Sequence, residues 1–298
     1  MTAHVAIVGP TASGKSALAL YVARQRSDVE IVSVDAMQVY RGMDIGTAKP
    51  SLAERAEVRH HLIDIADPAD DYAVARYQAD ATAALADIEA RGKRALFAGG
   101  TGLYLRAVVD ALDIPGQFPE VRAQLESDAD TRALHARLTA LDPVAASRME
   151  PTNRRRVVRA LEVTVGSGRA FSSYGPGLTE YPTSPITIIG LRMPRPLLDA
   201  RIDRRYDEQI AAGFVDEVRG LSQQPFSRTA RQALGYKELL DHLAGVRTFD
   251  EALALARSRT KRFARRQERW FRRDPRVRWI DVDENPLVAA DAVLGEFG

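Results

Sequence analysis

The feature that most constrains this chain is a glycine-rich turn near its N-terminus, placed between an apolar run and a helical pattern. The turn has the sequence Gly9-Pro10-Thr11-Ala12-Ser13-Gly14-Lys15-Ser16. It fits the pattern G-x-x-x-x-G-K-[ST], in which backbone N–H groups and the start of a helix converge on phosphate oxygens. Lys15 adds a positive charge, and Ser16 is a candidate ligand for Mg²⁺. Residues 9–16 are therefore predicted to bind a diphosphate, although the motif does not identify the group attached to it.

The hydrophobic pattern around this turn predicts a parallel sheet. Apolar, β-branched runs predict strands at residues 5–8, 31–34, 61–65, 95–98, 186–191 and 277–282. Helix-period patterns separate most of them, at residues 17–26, 74–90 and 103–110. This alternation is typical of α/β proteins, and we expect a P-loop NTPase-like parallel sheet flanked by helices.

The middle of the chain has a different pattern. Helical segments at residues 121–127, 132–141 and 154–165 follow one another with no strand between them. Pro115-Gly116 marks one edge, and a stretch rich in Gly, Ser and Pro marks the other. We therefore expect a core of residues 1–114 and 186–298 with an all-helical insertion at 115–185. Further helices are predicted at 196–212, 214–221 and 249–273.

Positive charge is concentrated although the net charge is only +2. Between Arg257 and Arg273 there are nine Lys or Arg and one acid, Glu268. A second cluster, inside the insertion, comprises Arg154, Arg155, Arg156 and Arg159. One such run is often a solvated helix face, but two in one chain favour binding of a polyanion.

Several classes of protein are excluded by composition. There is no cysteine, so disulfides, thiolate catalysis and cysteine-ligated metals are ruled out. No apolar run approaches the ~20 residues that cross a bilayer, and no secretory signal precedes the first strand. We expect a cytoplasmic protein without a membrane partner, and a monomer.

Two polar residues follow predicted strands directly. Asp35 ends the second strand, and Thr101 follows the fourth through Gly99-Gly100. Because functional residues of open parallel sheets gather at the carboxyl ends of strands, both are expected beside the phosphate loop. Asp35 is a candidate for a magnesium-associated carboxylate or for a catalytic base. Thr101 is a candidate for a site residue, a helix N-cap, or both.

With these residues in place, the chain closely resembles the tRNA dimethylallyltransferase family, also called tRNA isopentenyltransferase. The resemblance covers nearly the whole length. Besides residues 9–16, it is carried by Ser33-Val34-Asp35-Ala36-Met37-Gln38-Val39-Tyr40-Arg41-Gly42-Met43-Asp44-Ile45-Gly46-Thr47-Ala48-Lys49-Pro50, His60-His61-Leu62-Ile63-Asp64, Gly99-Gly100-Thr101-Gly102-Leu103-Tyr104, Asp142-Pro143-Val144-Ala145-Ala146, Gln232-Ala233-Leu234-Gly235-Tyr236-Lys237, and Arg265-Arg266-Gln267 with Trp270. Since the chain lacks cysteine, it resembles the compact bacterial form without a zinc finger.

The resemblance implies an activity and a set of roles. Dimethylallyl diphosphate would occupy the P-loop, and the acceptor would be N6 of adenosine 37 in the anticodon stem-loop of tRNAs reading codons that begin with U. Asp35 would be the general base, and Thr101 would orient the acceptor or the leaving diphosphate. Lys15, Ser16 and Arg205 would hold the diphosphate with Mg²⁺, assisted by Arg201 one helical turn earlier. The positions matching tRNA contacts are Asp35, Ala36, Met37, Gln38, Thr101, Arg122, Arg155, Arg156, Val157, Val158, Arg159, Gln232, Ala233, Leu234, Gly235, Tyr236 and Lys237.

Three other functions compete with this one. A P-loop small-molecule kinase would hold ATP in the same loop but leaves the basic runs and the insertion unexplained. A relative that prenylates free adenine nucleotides shares the core but has less need of a tRNA-binding surface. A non-catalytic RNA-binding protein accounts for the arginines but gives the P-loop and Asp35 no role.

Overall fold

The structure is a computed structural model that describes residues 3–175 and 177–298. It divides into two compact units, Met1–Val109 with Thr183–Gly298, and Asp110–Pro182. The predicted insertion boundaries, 115 and 185, lie within a few residues of those of the second unit. No helix of the described residues is long and apolar enough to span a bilayer.

The first unit is built on a parallel sheet. Its strands are β1 (His4–Val8), β2 (Val29–Val34), β3 (His60–His61), β4 (Arg94–Gly99), β5 (Ile186–Arg192) and β6 (Val277–Asp281). They lie in the order β3-β2-β4-β1-β5-β6, and every paired neighbour is parallel. β1, β2 and β5 are buried almost throughout, as expected where helices cover both faces. The predicted α/β fold class is confirmed.

Helices connect and cover these strands. In chain order they are α1 (Lys15–Gln25), α2 (Leu52–Glu57), α3 (Val74–Ala90), α4 (Gly102–Val109), α5 (Pro119–Ser127), α6 (Thr131–Leu141), α7 (Pro143–Ser147), α8 (Arg154–Ser167), α9 (Arg195–Ala211), α10 (Phe214–Leu221), α11 (Tyr236–Leu243), α12 (Phe249–Phe271) and α13 (Ala290–Gly295). Short 3₁₀ turns lie at Phe171–Ser173, Ala230–Gln232 and Pro286–Ala289. α5 to α8 form the second unit, around a core that includes Leu134, Leu138 and Leu161.

One predicted strand is shorter than expected. The apolar run 61–65 predicts a strand, but β3 ends at His61. Leu62 and Asp64 have positive φ angles of 64° and 57°, which turn the backbone out of the sheet. The N–H of Ile65 donates instead to the carbonyl of Val39, at 2.8 Å.

The strand register brings three turns to one edge of the sheet. Gly99, the last residue of β4, pairs with Val8 of β1 and with Val34 of β2. The residues that follow these three strands therefore emerge at the same level, and they include the P-loop, Asp35 and Gly100. A Cβ atom on Gly99 would lie 2.1 Å from the carbonyl oxygen of Val34, so this close approach requires glycine.

Candidate active site

The P-loop is shaped to receive an anion. Gly9 has φ +146° and Gly14, the N-cap of α1, has φ +91°, conformations that favour glycine. As at any helix start, N–H groups of the first turn of α1 lack intrahelical acceptors. No side chain caps them, and the first turn contains no acidic residue. The start of α1 thus presents backbone donors and the positive end of the helix dipole together.

Two cations flank this loop, the buried Lys15 and the partly buried Arg205. The Nζ of Lys15 donates to the Pro10 carbonyl at 2.6 Å, and the Nη1 of Arg205 donates to the Thr11 hydroxyl at 2.9 Å. Burial lowers the pKa of Lys15 to about 7, an effect that Asp35 opposes and Arg205 reinforces. Burial also lowers the pKa of Arg205, whose Nε is buried without a hydrogen-bond partner. A bound diphosphate would provide the negative charge and the acceptors that these groups lack.

Other P-loop residues have defined places. Ser13 is fully buried and its hydroxyl has no hydrogen-bond partner in the described part of the chain, whereas Ser16 is exposed at the start of α1. Arg201 lies one turn before Arg205 on α9, as predicted, and its Nη1 donates to the Glu284 carbonyl at 2.9 Å. Burial is the main cause that lowers the pKa of Arg201.

Asp35 and Thr101 meet at the ends of β2 and β4. The Oδ1 of Asp35 accepts a hydrogen bond from the N–H of Met37 at 2.8 Å. The Thr101 hydroxyl accepts one from the N–H of Ala36 at 3.1 Å, and the Thr101 N–H donates to the Val34 carbonyl at 3.1 Å. The Thr101 hydroxyl is thus hydrogen-bonded to the turn that begins at Asp35. The Thr101 carbonyl accepts from the N–H groups of Tyr104 and Leu105, in the first turn of α4. The charge of Asp35 opposes the burial that lowers the pKa of Lys15 and of Arg205, which indicates that the carboxylate lies within electrostatic reach of these two cations.

The segment after Asp35 is held by Gln38, which the resemblance assigned to tRNA contact, and by Glu217, which no sequence motif singled out. Gln38 accepts from the Ser33 hydroxyl at 2.8 Å, and its amide donates to the carbonyls of Thr47 and Ala48. Glu217 of α10 accepts from the N–H groups of Asp44, Ile45 and Gly46 at 3.0, 2.7 and 3.2 Å. It also accepts from the Tyr236 hydroxyl at 2.5 Å.

Some residues predicted to contact tRNA are inaccessible. Ala233, Gly235 and Tyr236 are buried, so their side-chain positions serve packing instead. In the same stretch Gln232 is exposed, and Leu234 and Lys237 are partly exposed. Ala36 and Met37 are partly buried against the core.

Two of the predicted tRNA contacts in the second unit are also buried. Val157 and Val158 are 0% and 2% exposed and belong to the unit's hydrophobic core, on the inner face of α8. The resemblance gave these positions as tRNA contacts, and such contact stays a prediction. Arg155 and Arg156, on the other face, are exposed and have no ion-pair partner within residues 3–175 and 177–298.

Two other arginines of the second unit already have partners. The carboxylate of Glu162, buried in this unit, accepts from Arg122 at 3.2 Å and from Arg159 at 2.8 Å. Arg159 also donates to the Pro115 carbonyl at 2.8 Å. These hydrogen bonds fix the positions of Arg122 and Arg159 and leave only part of each guanidinium group available for a ligand.

A basic stripe lies on α12 of the first unit. Several cations of this helix are paired: Arg257 with Asp207, Arg259 with Glu238, Lys261 with Asp203, and Arg272 with Glu268. The arginine stripe, as we call the rest, is exposed and unpaired among the described residues, and it comprises Arg262, Arg265, Arg266, Arg269 and Arg273. At 3.6 residues per turn the four positions within α12, 262, 265, 266 and 269, fall on one face over roughly 10 Å of helix, and Arg273 follows two residues after the helix ends. The basic surface is therefore formed by fewer cations than the run from Arg257 to Arg273 contains.

Gln267, also on α12, makes direct contact with the candidate active site. Its Oε1 accepts from the Thr11 N–H at 2.8 Å, and its Nε2 donates to the Gly100 carbonyl at 2.9 Å. The sequence gives two signals for it: Gln267 belongs to the motif Arg265-Arg266-Gln267 of the family resemblance, and it is a polar residue at a helix position that faces the core between Ala264 and Phe271.

Fold and site together define a class of protein. A parallel sheet carries a P-loop with buried cations and no carboxylate partner for them among the described residues, and a carboxylate stands at the next strand end. This arrangement belongs to P-loop proteins that act on a phosphorylated donor.

Comparisons with known proteins give the particular family. Residues 38–274 match the IPP transferase family, and residues 1–70 match the isopentenyl transferase family. The chain is 50% identical to a tRNA dimethylallyltransferase of Kineococcus radiotolerans, over 97% of this chain and 95% of that one. It is also 50% identical to one of Streptomyces avermitilis, over 96% and 94%. The chain belongs to the tRNA dimethylallyltransferase family.

Solved structures agree. A full-length tRNA isopentenylpyrophosphate transferase from Bacillus halodurans matches with a TM-score of 0.72 and 36% identity, covering 100% of this chain and 97% of that one. A eukaryotic dimethylallyltransferase described as acting on tRNA matches with a TM-score of 0.81, over 98% and 77%, but at 24% identity this likeness shows the fold alone.

Proposed function

We propose that this protein transfers a dimethylallyl group from dimethylallyl diphosphate to N6 of adenosine 37 in tRNAs reading codons that begin with U. The products are N6-isopentenyladenosine and diphosphate. The observation that carries the proposal is the Asp35 carboxylate, tied through Ala36 to Thr101 and within electrostatic reach of the buried Lys15 and the partly buried Arg205.

The donor binds as a diphosphate with an allylic tail. In the reaction the bond between the allylic carbon and the diphosphate oxygen breaks, and negative charge grows on the diphosphate. Lys15, Arg205 and the N–H groups at the start of α1 stabilise that charge in a site shielded from water. The P-loop acts here as a clamp for the leaving group, and the buried Nε of Arg205 is a donor available for it.

A magnesium ion fits this site only in company with the donor. Residues 3–175 and 177–298 contain no cluster of three or more His, Asp or Glu able to hold a metal. Mg²⁺ usually retains several waters and binds through substrate phosphates with one or two protein oxygens. The exposed Ser16 hydroxyl would supply such an oxygen, and the ion would neutralise charge on the diphosphate.

The acceptor amine needs a base. The lone pair of the exocyclic N6 is delocalised into the adenine ring, which makes it a weak nucleophile. As the new C–N bond forms, Asp35 takes the N6 proton, a contribution of typically ~10² to 10⁴ in rate. Thr101 holds the Ala36 N–H and thereby the turn that carries Asp35.

Two surfaces suit the RNA backbone. One is the arginine stripe on the first unit, and the other is Arg155 with Arg156 on the second. Unpaired guanidinium groups bind phosphates and release counterions. Because base 37 is stacked inside its loop, it must be extruded to reach Asp35, and these backbone contacts offset that cost of a few kcal/mol.

The direct test is to incubate the purified protein with labelled dimethylallyl diphosphate and unmodified tRNA, beside parallel samples holding AMP or ATP alone. Label at the adenosine next to the anticodon is the expected result. Label only in nucleotide would reassign the protein as a prenyltransferase of free nucleotides, and ATP turnover without label transfer would reassign it as a kinase.

The roles of Asp35 and Lys15 separate by substitution. Asp35→Ala should lower turnover by ~10² or more while leaving donor affinity nearly intact, because the base does not hold the diphosphate. Lys15→Ala should weaken donor binding as well. Equal loss of donor affinity in both variants, measured by calorimetry with inorganic diphosphate, would refute the assignment of Asp35 as the general base.

A further inference from the structure

Gln267 joins the two halves of the site with one side chain. Its amide is 7% exposed and bridges the Thr11 N–H of the P-loop to the Gly100 carbonyl of the turn after β4. One partner offers only a donor and the other only an acceptor, so the bridge requires a side chain with both functions at this length. A carboxylate at this position would keep the first bond and lose the second.

The turn is shaped to fit this contact. A Cβ atom on Gly100 would lie 2.1 Å from the Nε2 of Gln267, and one on Gly102 would lie 2.2 Å from the ring of Trp270. Gln267 and Trp270 are three residues apart and lie on neighbouring parts of one helix surface. The Gln267 and Trp270 side chains of α12 therefore pack directly against the Gly100–Gly102 backbone.

Both ends of the bridge continue to groups that act on the substrates. The Thr11 hydroxyl accepts from Arg205, which faces the diphosphate site. The residue after Gly100 is Thr101, whose hydroxyl holds the Asp35 turn through Ala36. The same helix carries the arginine stripe on its exposed side, so Gln267 lies between the stripe and both substrate positions.

We propose that Gln267 is a positioning residue that couples RNA binding on the arginine stripe to donor binding in the P-loop. This inference rests on the proposed function, because it takes RNA as the ligand of the stripe. RNA that fixes α12 also fixes Thr11 and Arg205 through the Gln267 amide, so each substrate binds more tightly when the other is present. Such coupling is reciprocal in the two binding equilibria.

The test compares binding equilibria in the whole protein. The dissociation constant of inorganic diphosphate is measured by calorimetry with and without a saturating anticodon stem-loop RNA. In the wild type the RNA should tighten diphosphate binding by about 5-fold or more, the low end of typical coupling between sites. In Gln267→Met, which keeps the side-chain length but removes both hydrogen bonds, the tightening should fall below about 2-fold.

Gln209→Met is the matched control. Gln209 is also a buried amide, on α9, and it donates to the carbonyls of Ile45 and Gly46 away from this path. The Gln209→Met variant should retain the wild-type coupling even if its stability falls. Wild-type coupling in Gln267→Met, equal loss in Gln209→Met, or no coupling in the wild type would each overturn the inference. The proposed function fails separately, if the wild type transfers no label to tRNA.

Discussion

At the scale of single residues, the site holds cationic side chains that have little exposure to solvent. Lys15 is 8% exposed and donates to a backbone carbonyl, and Arg205 donates to a hydroxyl, so neither has a carboxylate partner within the described residues. A buried cation without a counterion favours its neutral form, which is the cause of the lowered pKa of Lys15. The arrangement is suited to a ligand that brings its own negative charge.

This gives a pH dependence to donor binding. Because the pKa of Lys15 is about 7 in the empty site, Lys15 is largely neutral at pH 8. A bound diphosphate raises that pKa, so binding at pH 8 takes up a proton, and affinity falls as pH rises above 7. Calorimetry in buffers of different ionisation enthalpy should detect the uptake.

Lys15→Met serves as the reference for protons that belong to the diphosphate itself. The difference in uptake between wild type and variant should approach one proton at pH 8 and shrink towards pH 6, where Lys15 is already protonated. An equal uptake in both proteins at pH 8 would contradict the assignment to Lys15.

Glu217 shows how one carboxylate can hold a whole turn. It accepts from three consecutive N–H groups, 44 to 46, and from the Tyr236 hydroxyl. Glu217→Ala should lower the free energy of unfolding by ~2 to 3 kcal/mol, because the hydrogen bonds to a charged acceptor are lost and their donors no longer have an acceptor. Tyr236→Phe, which removes only one of these bonds, should lower it by ~1 kcal/mol. Urea unfolding compares the two, and a larger effect of Tyr236→Phe would show that Glu217 does not anchor the turn.

At the scale of elements, α12 is the helix that serves both substrates. Its inner side packs on the core through Ala256, Ala264 and Phe271, and its Thr248–Glu251 capping box fixes where it starts. Ion pairs neutralise Arg257, Arg259, Lys261 and Arg272, and this leaves the arginine stripe as a continuous positive face. The structure thereby divides the cations of the run from Arg257 to Arg273 into those held in ion pairs and those available to bind a ligand.

The stripe predicts a salt-dependent effect on RNA affinity. Arg265→Ala and Arg269→Ala should each weaken binding of an anticodon stem-loop and reduce the slope of log affinity against log salt by ~1, because each removes about one phosphate contact. Arg257→Ala is the matched control, on the same helix but paired with Asp207. Titrations at several salt concentrations measure the slopes. An unchanged slope in both stripe variants would exclude the stripe from the RNA interface.

At the scale of the whole molecule, residues 3–175 and 177–298 form two separate hydrophobic cores. One surrounds the sheet, and the other is built from α5 to α8 and includes Leu138, which is fully buried. Leu138→Ala should destabilise its own unit by ~2 to 5 kcal/mol, because it leaves a cavity. Hydrogen exchange should accelerate within Asp110–Pro182, while affinity for inorganic diphosphate stays unchanged. Weakened diphosphate binding in this variant would show that the two cores are not energetically independent.

The sequence by itself determined the fold class, the approximate positions of the strands and the glycine-rich turn before α1. These features are local, since a buried strand, a glycine-rich turn and a helix start each have a signature within about ten residues. The sequence does not predict the end of β3, because no local pattern signals the left-handed backbone angles of Leu62 and Asp64. It does not predict α2 either, because none of the residues of α2 is buried and the helix therefore shows no apolar period; its capping box, Ser51 with Glu54, is a local signal of its start.

Only the tertiary structure decided which polar residues serve the site and which serve the fold. Val157 and Tyr236 match positions of tRNA contact in the family, yet their side chains are buried, while Arg122 and Arg159 share the buried carboxylate of Glu162. Gln267 reaches the P-loop from a helix 256 residues away along the chain. The physical reason is that burial and hydrogen-bond partners depend on segments distant in sequence, which no local pattern encodes.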